Sequence, residues 1–382
     1  MIIPPNSRVK SAMRIAFVLT SLGLGGAEHQ AVAVAERLAR RGHTLTLLVL
    51  GEQVEQEWPT ELPVHRLGMH KNPLDFLRKL RPAGEILRTF QPDLVHAHCF
   101  HANLFARLLH RGGLPAPVIS TIHNIYEGPW PRLVAYRLTD RWAEQTVAVS
   151  LLSAMRYVRL GATPCMKIKV IPNGIDTEQF RPDRERREQT RAAMGVADEF
   201  VWLTAGRLTR AKDLPNLLHG FAQLAQHEER ARLWIAGSGK PRYAAGLKKL
   251  ARQLGIEDKL RWLGVRRDLE ALYDAADGFV LGSAWEGMPL VVAEAMAMEK
   301  PVVATDVGGV FELVSAAGRM VDAKDPAFLA RGMRETMQLS GEKRQRIGQA
   351  ARRRIEEKFS LASRVEAWEK EYADLLEELT WA

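Results

Sequence analysis

The chain has 382 residues, 46% hydrophobic and 26% charged, with a net charge of +9. That is length enough for two α/β domains with real cores, at an ordinary composition for a globular protein. Two cysteines, Cys99 and Cys165, exclude a disulfide framework and fall short of a metal site, which fits a reducing cytoplasm; no apolar run approaches the roughly 18 residues of a transmembrane helix.

From the N-terminus, Met1 to Ala12 is polar, holds two prolines and lacks the apolar centre of a signal peptide. It reads as a disordered arm, or as vector-derived or alternative-start sequence ahead of Met13. Short apolar strands are expected at Arg14–Thr20, Thr44–Leu50, Asp93–Ala97, Val118–Thr121 and Thr146–Ser150, with helices between them at Ala27–Arg41, Pro73–Phe90 and Asn103–Arg111. After a charged linker, Gln179–Arg191, a second set of strands follows at Phe200–Ala205, Arg232–Ala236, Leu260–Leu263, Gly278–Leu281, Pro301–Ala304 and Gly318–Val321. This alternation predicts two doubly wound parallel sheets covered by helices, with a cleft between them. A last helix near Leu361–Leu379 carries Val365, Trp368, Tyr372 and Leu375 at helical spacing.

Charge is divided unevenly. Residues 1–175 hold 21 Lys and Arg against 12 Asp and Glu, and residues 176–382 hold 33 of each, so the whole excess lies in the first half. A phosphate-bearing or anionic partner is implied. Nucleic acid is set aside, because no recognition motif or stacking platform accompanies the charge. Residues 71–88 (Lys71, Arg78, Lys79, Arg81 and Arg88 among leucines) and Pro131–Trp142 read either as surfaces for an anionic membrane or as ordinary amphipathic helices.

Five segments carry chemistry. The turn Gly23-Leu24-Gly25-Gly26-Ala27-Glu28 follows a strand and opens a helix, so its backbone can approach an anion; Glu28 breaks the dinucleotide fingerprint and argues against a nicotinamide enzyme. The other reading is a tight turn without ligand. Gly206-Arg207-Leu208-Thr209-Arg210-Ala211-Lys212-Asp213 sets two cations, Arg207 and Lys212, around a strand-to-helix loop with Asp213 as a plausible N-cap, a pattern suited to a diphosphate or to a solvated basic loop. Glu286-Gly287-Met288-Pro289-Leu290 precedes an apolar helix whose one ionisable residue is Glu294, with Pro289 suited to the first helical position. Glu294 is either buried and in need of hydroxyl donors, or on a solvent-facing edge. His123 ends a strand, and His96-Ala97-His98-Cys99-Phe100-His101-Ala102-Asn103 ends another, where open α/β sheets present their clefts. His96 reads as structural; no carboxylate or cysteine completes a metal set there.

The pair Glu286 and Glu294, with Gly-Met-Pro-Leu after the first, resembles the E-x7-E signature of retaining GT-B glycosyltransferases of family 4. Gly25–Gly26, Arg207, Lys212, His123 and the turn Pro172-Asn173-Gly174-Ile175-Asp176 match in order, so the resemblance covers nearly the whole chain. It implies a GT-B fold with an acceptor-side domain (13–178), a donor-binding domain (179–360) and a helix (361–382) crossing back to the first. It implies Glu286 and the turn Gly287, Met288, Pro289, Leu290 on the donor sugar, Glu294 on the ribose, and Gly206, Arg207 and Lys212 with Gly25 and Gly26 on the diphosphate. His123 would lie near the sugar, and His98, His101 and Asn103 on the acceptor side. The implied reaction is metal-independent and cofactor-free transfer, with retention, from a nucleotide-diphosphate sugar (UDP favoured) to a lipid-linked or polysaccharide-precursor acceptor, by a cytoplasmic enzyme peripheral to the bacterial inner membrane. A soluble enzyme acting on a small sugar or glucan, or a GT-B-like nucleotide-sugar epimerase, would share the donor motifs.

Overall fold

The fold is that of a computed structural model, which describes residues 12–54, 57, 59–70 and 72–381. The proposed leader up to residue 11 and Lys71 lie outside the described residues. The first half alternates β1 (Arg14–Leu19), α1 (Gly26–Arg40), β2 (Thr44–Val49), β3 (Val64–Arg66), α2 (Pro73–Arg78), α3 (Leu80–Phe90), β4 (Leu94–His98), α4 (Phe100–Arg111), β5 (Val118–Ile122), α5 (Trp130–Thr139), β6 (Gln145–Ala148), α6 (Leu151–Arg159) and β7 (Ile168–Val170). The second half holds α7 (Arg184–Ala193), β8 (Phe200–Ala205), α8 (Leu214–Ala225), β9 (Ala231–Ala236), α9 (Pro241–Gln253), β10 (Leu260–Gly264), α10 (Leu269–Ala275), β11 (Gly278–Leu281), α11 (Leu290–Ala297), β12 (Val302–Thr305), α12 (Val310–Val314), β13 (Arg319–Val321), α13 (Pro326–Gln338), α14 (Gly341–Lys358) and α15 (Leu361–Thr380).

The strands form two parallel sheets, ordered β3-β2-β1-β4-β5-β6-β7 and β10-β9-β8-β11-β12-β13. Central strands are covered by helices on both faces, so β4, β5, β8 and β11 are buried along their whole length; β8 and β11 read as near-continuous apolar runs, while β4 and β5 carry His96, His98, Ser120 and Thr121 inside. Strand order reverses at β1/β4 in one sheet and at β8/β11 in the other, which opens a crevice at the carboxyl ends of those strands. The Gly23–Glu28, His98, Arg207–Lys212 and Glu286 loops leave from those ends, and His123 leaves the carboxyl end of the neighbouring β5.

The chain passes between the domains twice, side by side. Ile175 N–H donates to Phe359 O and Leu361 N–H to Ile175 O, each at 2.8 Å. After the second passage α15 lies on the first domain, where Val365, Trp368, Tyr372 and Leu375 join the core built by β1, β2 and α1. Tyr372 and His96 Nδ1 hydrogen-bond at 2.7 Å, and His96 Nε2 bonds Thr121 Oγ1 at 2.7 Å, which fixes His96 as a structural residue.

The structure departs from the sequence reading in three places. The charged segment after Gln179 is not a linker but contains α7: Asp183 caps it, and Arg186, Arg187 and Arg191 neutralise Asp274 and Asp277. The stretch Pro73–Phe90 is two helices parted at Lys79, because Pro82 lacks an N–H and its ring crowds the carbonyl four residues back. Strands β3 and β7, three residues each at opposite edges of the first sheet and partly exposed, were too short to show a pattern.

Candidate functional site

The second domain supplies an acid–base pair set in backbone. Gly206 leaves β8 with φ +133, and a Cβ there would lie 3.1 Å from Lys212 Cε, so the glycine lets the lysine stem pass. Lys212 Nζ donates to Glu286 Oε1 at 2.8 Å, and Ser283 Oγ donates to the same oxygen at 2.6 Å. Both partners are largely buried, with side-chain exposures of 17% and 9%. Arg207 stands exposed beside them and makes no hydrogen bond or ion pair among the described residues.

Below this pair α11 is buried except at Val291, and Glu294 is buried within it. The Tyr273 hydroxyl donates to Glu294 Oε2 at 2.8 Å. Burial outweighs that bond and pushes the Glu294 carboxyl up to about 7.

The first domain meets this site through backbone. A Cβ at Gly287 would sit 2.0 Å from the His123 carbonyl oxygen, and Asn124 and Gly287 form an antiparallel bridge. Asn173 Nδ2 donates to Met288 O at 3.0 Å, and Leu290 packs on Gly26. Glu312 caps α6 across the gap, accepting from the N–H groups of Leu151 and Leu152 at 2.9 and 3.1 Å. His123 Nε2 lies 3.0 Å from His98 Nδ1. Burial lowers the His123 pKa to about 4 and drives that of His98 well down, so both rings are neutral and their shared bond has one donor. Their outer nitrogens, His98 Nε2 and His123 Nδ1, are buried without a hydrogen-bond partner among the described residues.

The motif loops of two sheets thus converge on one crevice, and the family comparisons agree with that layout. Glycosyltransferase Family 4 matches residues 24–179, and Glycosyl transferases group 1 matches residues 186–354. The chain belongs to the group 1, family 4 glycosyltransferases. An uncharacterized glycosyltransferase of Methanocaldococcus jannaschii is 29% identical over 361 residues, 88% of this chain and 91% of that protein. The UDP-Gal:alpha-D-GlcNAc-diphosphoundecaprenol alpha-1,3-galactosyltransferase of Escherichia coli is 29% identical over 252 residues, covering 61% of this chain and 62% of that enzyme. Among solved structures, Anabaena HepE in complex with UDP and glucose superposes with a TM-score of 0.84 at 23% identity, over 94% of this chain and 99% of that one, a likeness of GT-B fold.

In this glycosyltransferase three expected roles are corrected. Pro289 precedes α11 as its N-cap rather than opening it, because its extended ψ of 115° turns the chain out of the Gly287–Met288 contact. Asp213 occupies the N-cap of α8 in a left-handed conformation, φ 41, which takes its side chain out of capping reach. Asn103 presents no face to an acceptor: it is fully buried, and its Nδ2 donates to Thr121 O and to the Tyr136 hydroxyl, both at 2.9 Å. His101, on the first turn of α4, packs edge-on to Phe100 at 5.2 Å. No three His, Cys, Asp or Glu side chains gather as a metal site among the described residues. Ser283 and Tyr273, which hold the two glutamates, and Glu127, which holds His123, were not singled out from sequence; Ser283 stands three residues before Glu286 and could have been.

Proposed function

We propose that this glycosyltransferase moves a sugar, with retention, from a UDP-sugar to a lipid-linked or polysaccharide-precursor acceptor without a divalent metal. Residues 179–360 would hold the donor and residues 13–178 the acceptor. The observation that carries the reading is the Lys212–Glu286 pair at 2.8 Å beside exposed Arg207, directly under the Gly287–His123 contact. A diphosphate arriving next to Arg207 competes with Glu286 for Lys212 and frees a carboxylate oxygen to accept a sugar hydroxyl. Glu294, short of donors for its charged form, accepts from the ribose hydroxyls.

As the bond from sugar C1 to the β-phosphate oxygen breaks, Arg207 and Lys212 neutralise the charge gathering on the diphosphate. The acceptor oxygen bonds C1 from the same face, and its proton passes to the leaving phosphate oxygen. His98 and His123, neutral and buried, keep water off that face and offer one N–H and one lone pair to substrate hydroxyls.

Support for a membrane-bound acceptor comes from α5 and α6, which hold no acidic residue. Trp130, Leu138, Leu151, Leu152 and Met155 are exposed on them beside Arg137, Arg156 and Arg159. The face starts at the cleft, since α5 begins two residues after Gly128. On this reading the enzyme works at the cytoplasmic face of a membrane without crossing it; no helix among the described residues is long and apolar enough to span one.

Calorimetric titration with UDP, GDP and ADP, first with EDTA and then with Mg²⁺, tests the donor half. UDP should bind without metal, and Lys212→Ala should weaken it at least about tenfold, the loss expected for one charge-assisted contact of about 1.5–3 kcal/mol. A folded protein that binds none of the three would sink the proposal.

A further inference from the structure

The loop that carries His123 is wound around a carboxylate outside the donor motifs. Glu127 Oε1 accepts the backbone N–H of His123 at 3.0 Å, and Oε2 accepts the Tyr136 hydroxyl at 2.7 Å. The Tyr136 oxygen takes an N–H from Asn103, whose amide also holds the carbonyl of Thr121 in β5. Arg132 closes the loop from the other side by donating to the Glu127 carbonyl, and its guanidinium lies over the Phe100 ring at 4.8 Å. One carboxylate therefore ties the end of β5 to α4 and α5, and the residue it holds is the one whose carbonyl meets Gly287.

The tolerance at that meeting is small. The His123 carbonyl lies against Gly287 where not even a methyl group fits, while the same residue's ring sits on His98. A shift of about 1 Å in a reacting constellation can cost on the order of 100-fold in rate. Glycine at 128, with φ +126, lets the chain turn past Arg132, so the loop has no local helix or strand to stiffen it. Its order rests on the bonds to Glu127 together with the Asn124–Gly287 bridge and the Tyr126 N–H bond to Asn124 Oδ1 at 3.1 Å.

We propose that Glu127 is the positioning residue for His123, holding the loop between β5 and α5 in the conformation that sets His123 on His98 and against Gly287. The role rests on the glycosyltransferase reading, in which that contact brings the two domains into reacting register.

A pH response follows. The titratable and charged groups facing Glu127 are Arg132 and His123 in and beside its loop, Tyr136 on α5, Arg156 and Tyr157 on α6, and Cys99 ahead of α4. Burial outweighs the bonds from Tyr136 and His123 and the charge of Arg132, raising the carboxyl to about 7. Below that pH Glu127 gains an O–H that faces two existing donors, and one of its bonds must turn or break. Turnover should therefore fall as the pH drops through about 7.

Hydrogen exchange on the full chain, at one pH above 7 and one below, tests the positioning without a substrate. In Glu127→Gln, which keeps the shape and offers a donor where an acceptor is required, residues 122–128 should exchange about tenfold faster at the higher pH while β8 is unchanged. Tyr136→Phe, which removes one bond, should give a smaller rise. UDP release is then measured with whichever UDP-sugar the wild type hydrolyses. Glu127→Gln should lower kcat by about ten- to a hundredfold with KM within about twofold, and should abolish the acid limb of the pH profile. Wild-type exchange in the loop, wild-type kcat with the acid limb intact, or loss of protection across the whole first sheet in both variants would each overturn the proposal. A wild type that binds and cleaves no UDP-sugar would instead refute the functional reading, and exchange would still decide whether Glu127 orders the loop.

Discussion

Gly287→Ala puts a single methyl group into the contact between the two domains. Its Cβ would stand 2.0 Å from the His123 carbonyl oxygen, 2.8 Å from the carbonyl carbon and 2.9 Å from Asn124 Cα, whereas ordinary contact begins at 3.4 Å. The two segments must part by about 1.4 Å, the difference between 3.4 and 2.0 Å. All three neighbours are backbone, so no rotamer change relieves the clash. Holding the closed arrangement against it would cost about 1–3 kcal/mol, by analogy with overpacked cores. Parting the two segments locally instead, with the Glu312 bonds to α6 kept, loses the Asn124–Gly287 bridge and the Asn173–Met288 hydrogen bond, together worth about 1–3 kcal/mol. The two routes are comparable in cost, and both displace His123 from Gly287 while leaving each sheet intact. Turnover of the UDP-sugar is expected to fall about 100-fold. The UDP affinity of the second domain should change by less than about threefold, and Tm should drop by no more than a few degrees. Stopped UDP-release assays, calorimetry and thermal scans on one preparation would check this. Wild-type turnover would refute the reasoning, because it would mean that the Gly287–His123 contact is absent from the reacting form. A loss of UDP affinity matching the loss of rate would refute it differently, by placing Gly287 in the nucleotide pocket.

Glu294 gives a stability signature. The folded carboxyl keeps its proton up to about 7 against an ordinary 4.5, so the native state binds more protons in that window and stability falls as pH rises through it, levelling above 7. Relative to Glu294→Gln, wild type should lose about 3 kcal/mol between pH 4.5 and 7 in urea unfolding; a difference independent of pH would exclude the buried-acid account. The apolar face gives a third expectation. Leu138→Glu with Leu152→Glu should abolish sedimentation with phosphatidylcholine–phosphatidylglycerol vesicles while UDP affinity stays at the wild-type value, since each leucine side chain withdrawn from water contributes about 1.5–3 kcal/mol. Equal sedimentation of variant and wild type would remove α5 and α6 from membrane binding.

Much of the architecture was legible because parallel strands covered on both faces need continuous apolar runs, and β8 and β11 match their expected limits. What escaped was decided at long range. The arginines of α7 look like a solvated linker until Asp274 and Asp277, more than 80 residues away, close on them. Each member of the Lys212–Glu286 pair could be named from its own loop, but their contact spans 74 residues and depends on β8 and β11 lying side by side. Glu127 carries no local mark: it is one carboxylate in a polar loop, and its meaning comes from a backbone N–H four residues before it and a tyrosine nine residues after it. Asn103 shows the opposite case, a polar residue beside a histidine-rich turn that is buried in the core with its amide nitrogen bonded to Thr121 O and the Tyr136 hydroxyl.

The glycines at the meeting of the domains divide the site into parts that constrain one another differently. Gly309 brings its Cα so near Ser150 Cβ and the Gly287 carbonyl that a Cβ would lie 2.7 and 2.5 Å from them, and Gly309 N–H donates to that same carbonyl at 2.7 Å. Together with Gly287 against His123, this makes the approach of the halves a matter of main chain on main chain. Such contacts admit only glycine at these two points and are intolerant of displacement, so they can hold register while the groups that touch sugar and acceptor vary. The exposed residues of α5 and α6 are free to change without moving the backbone, whereas Glu127 and Glu312 act through N–H groups and are not. Substitutions that alter specificity are therefore expected at the former positions, and those that lower turnover of every donor–acceptor pair alike at the latter.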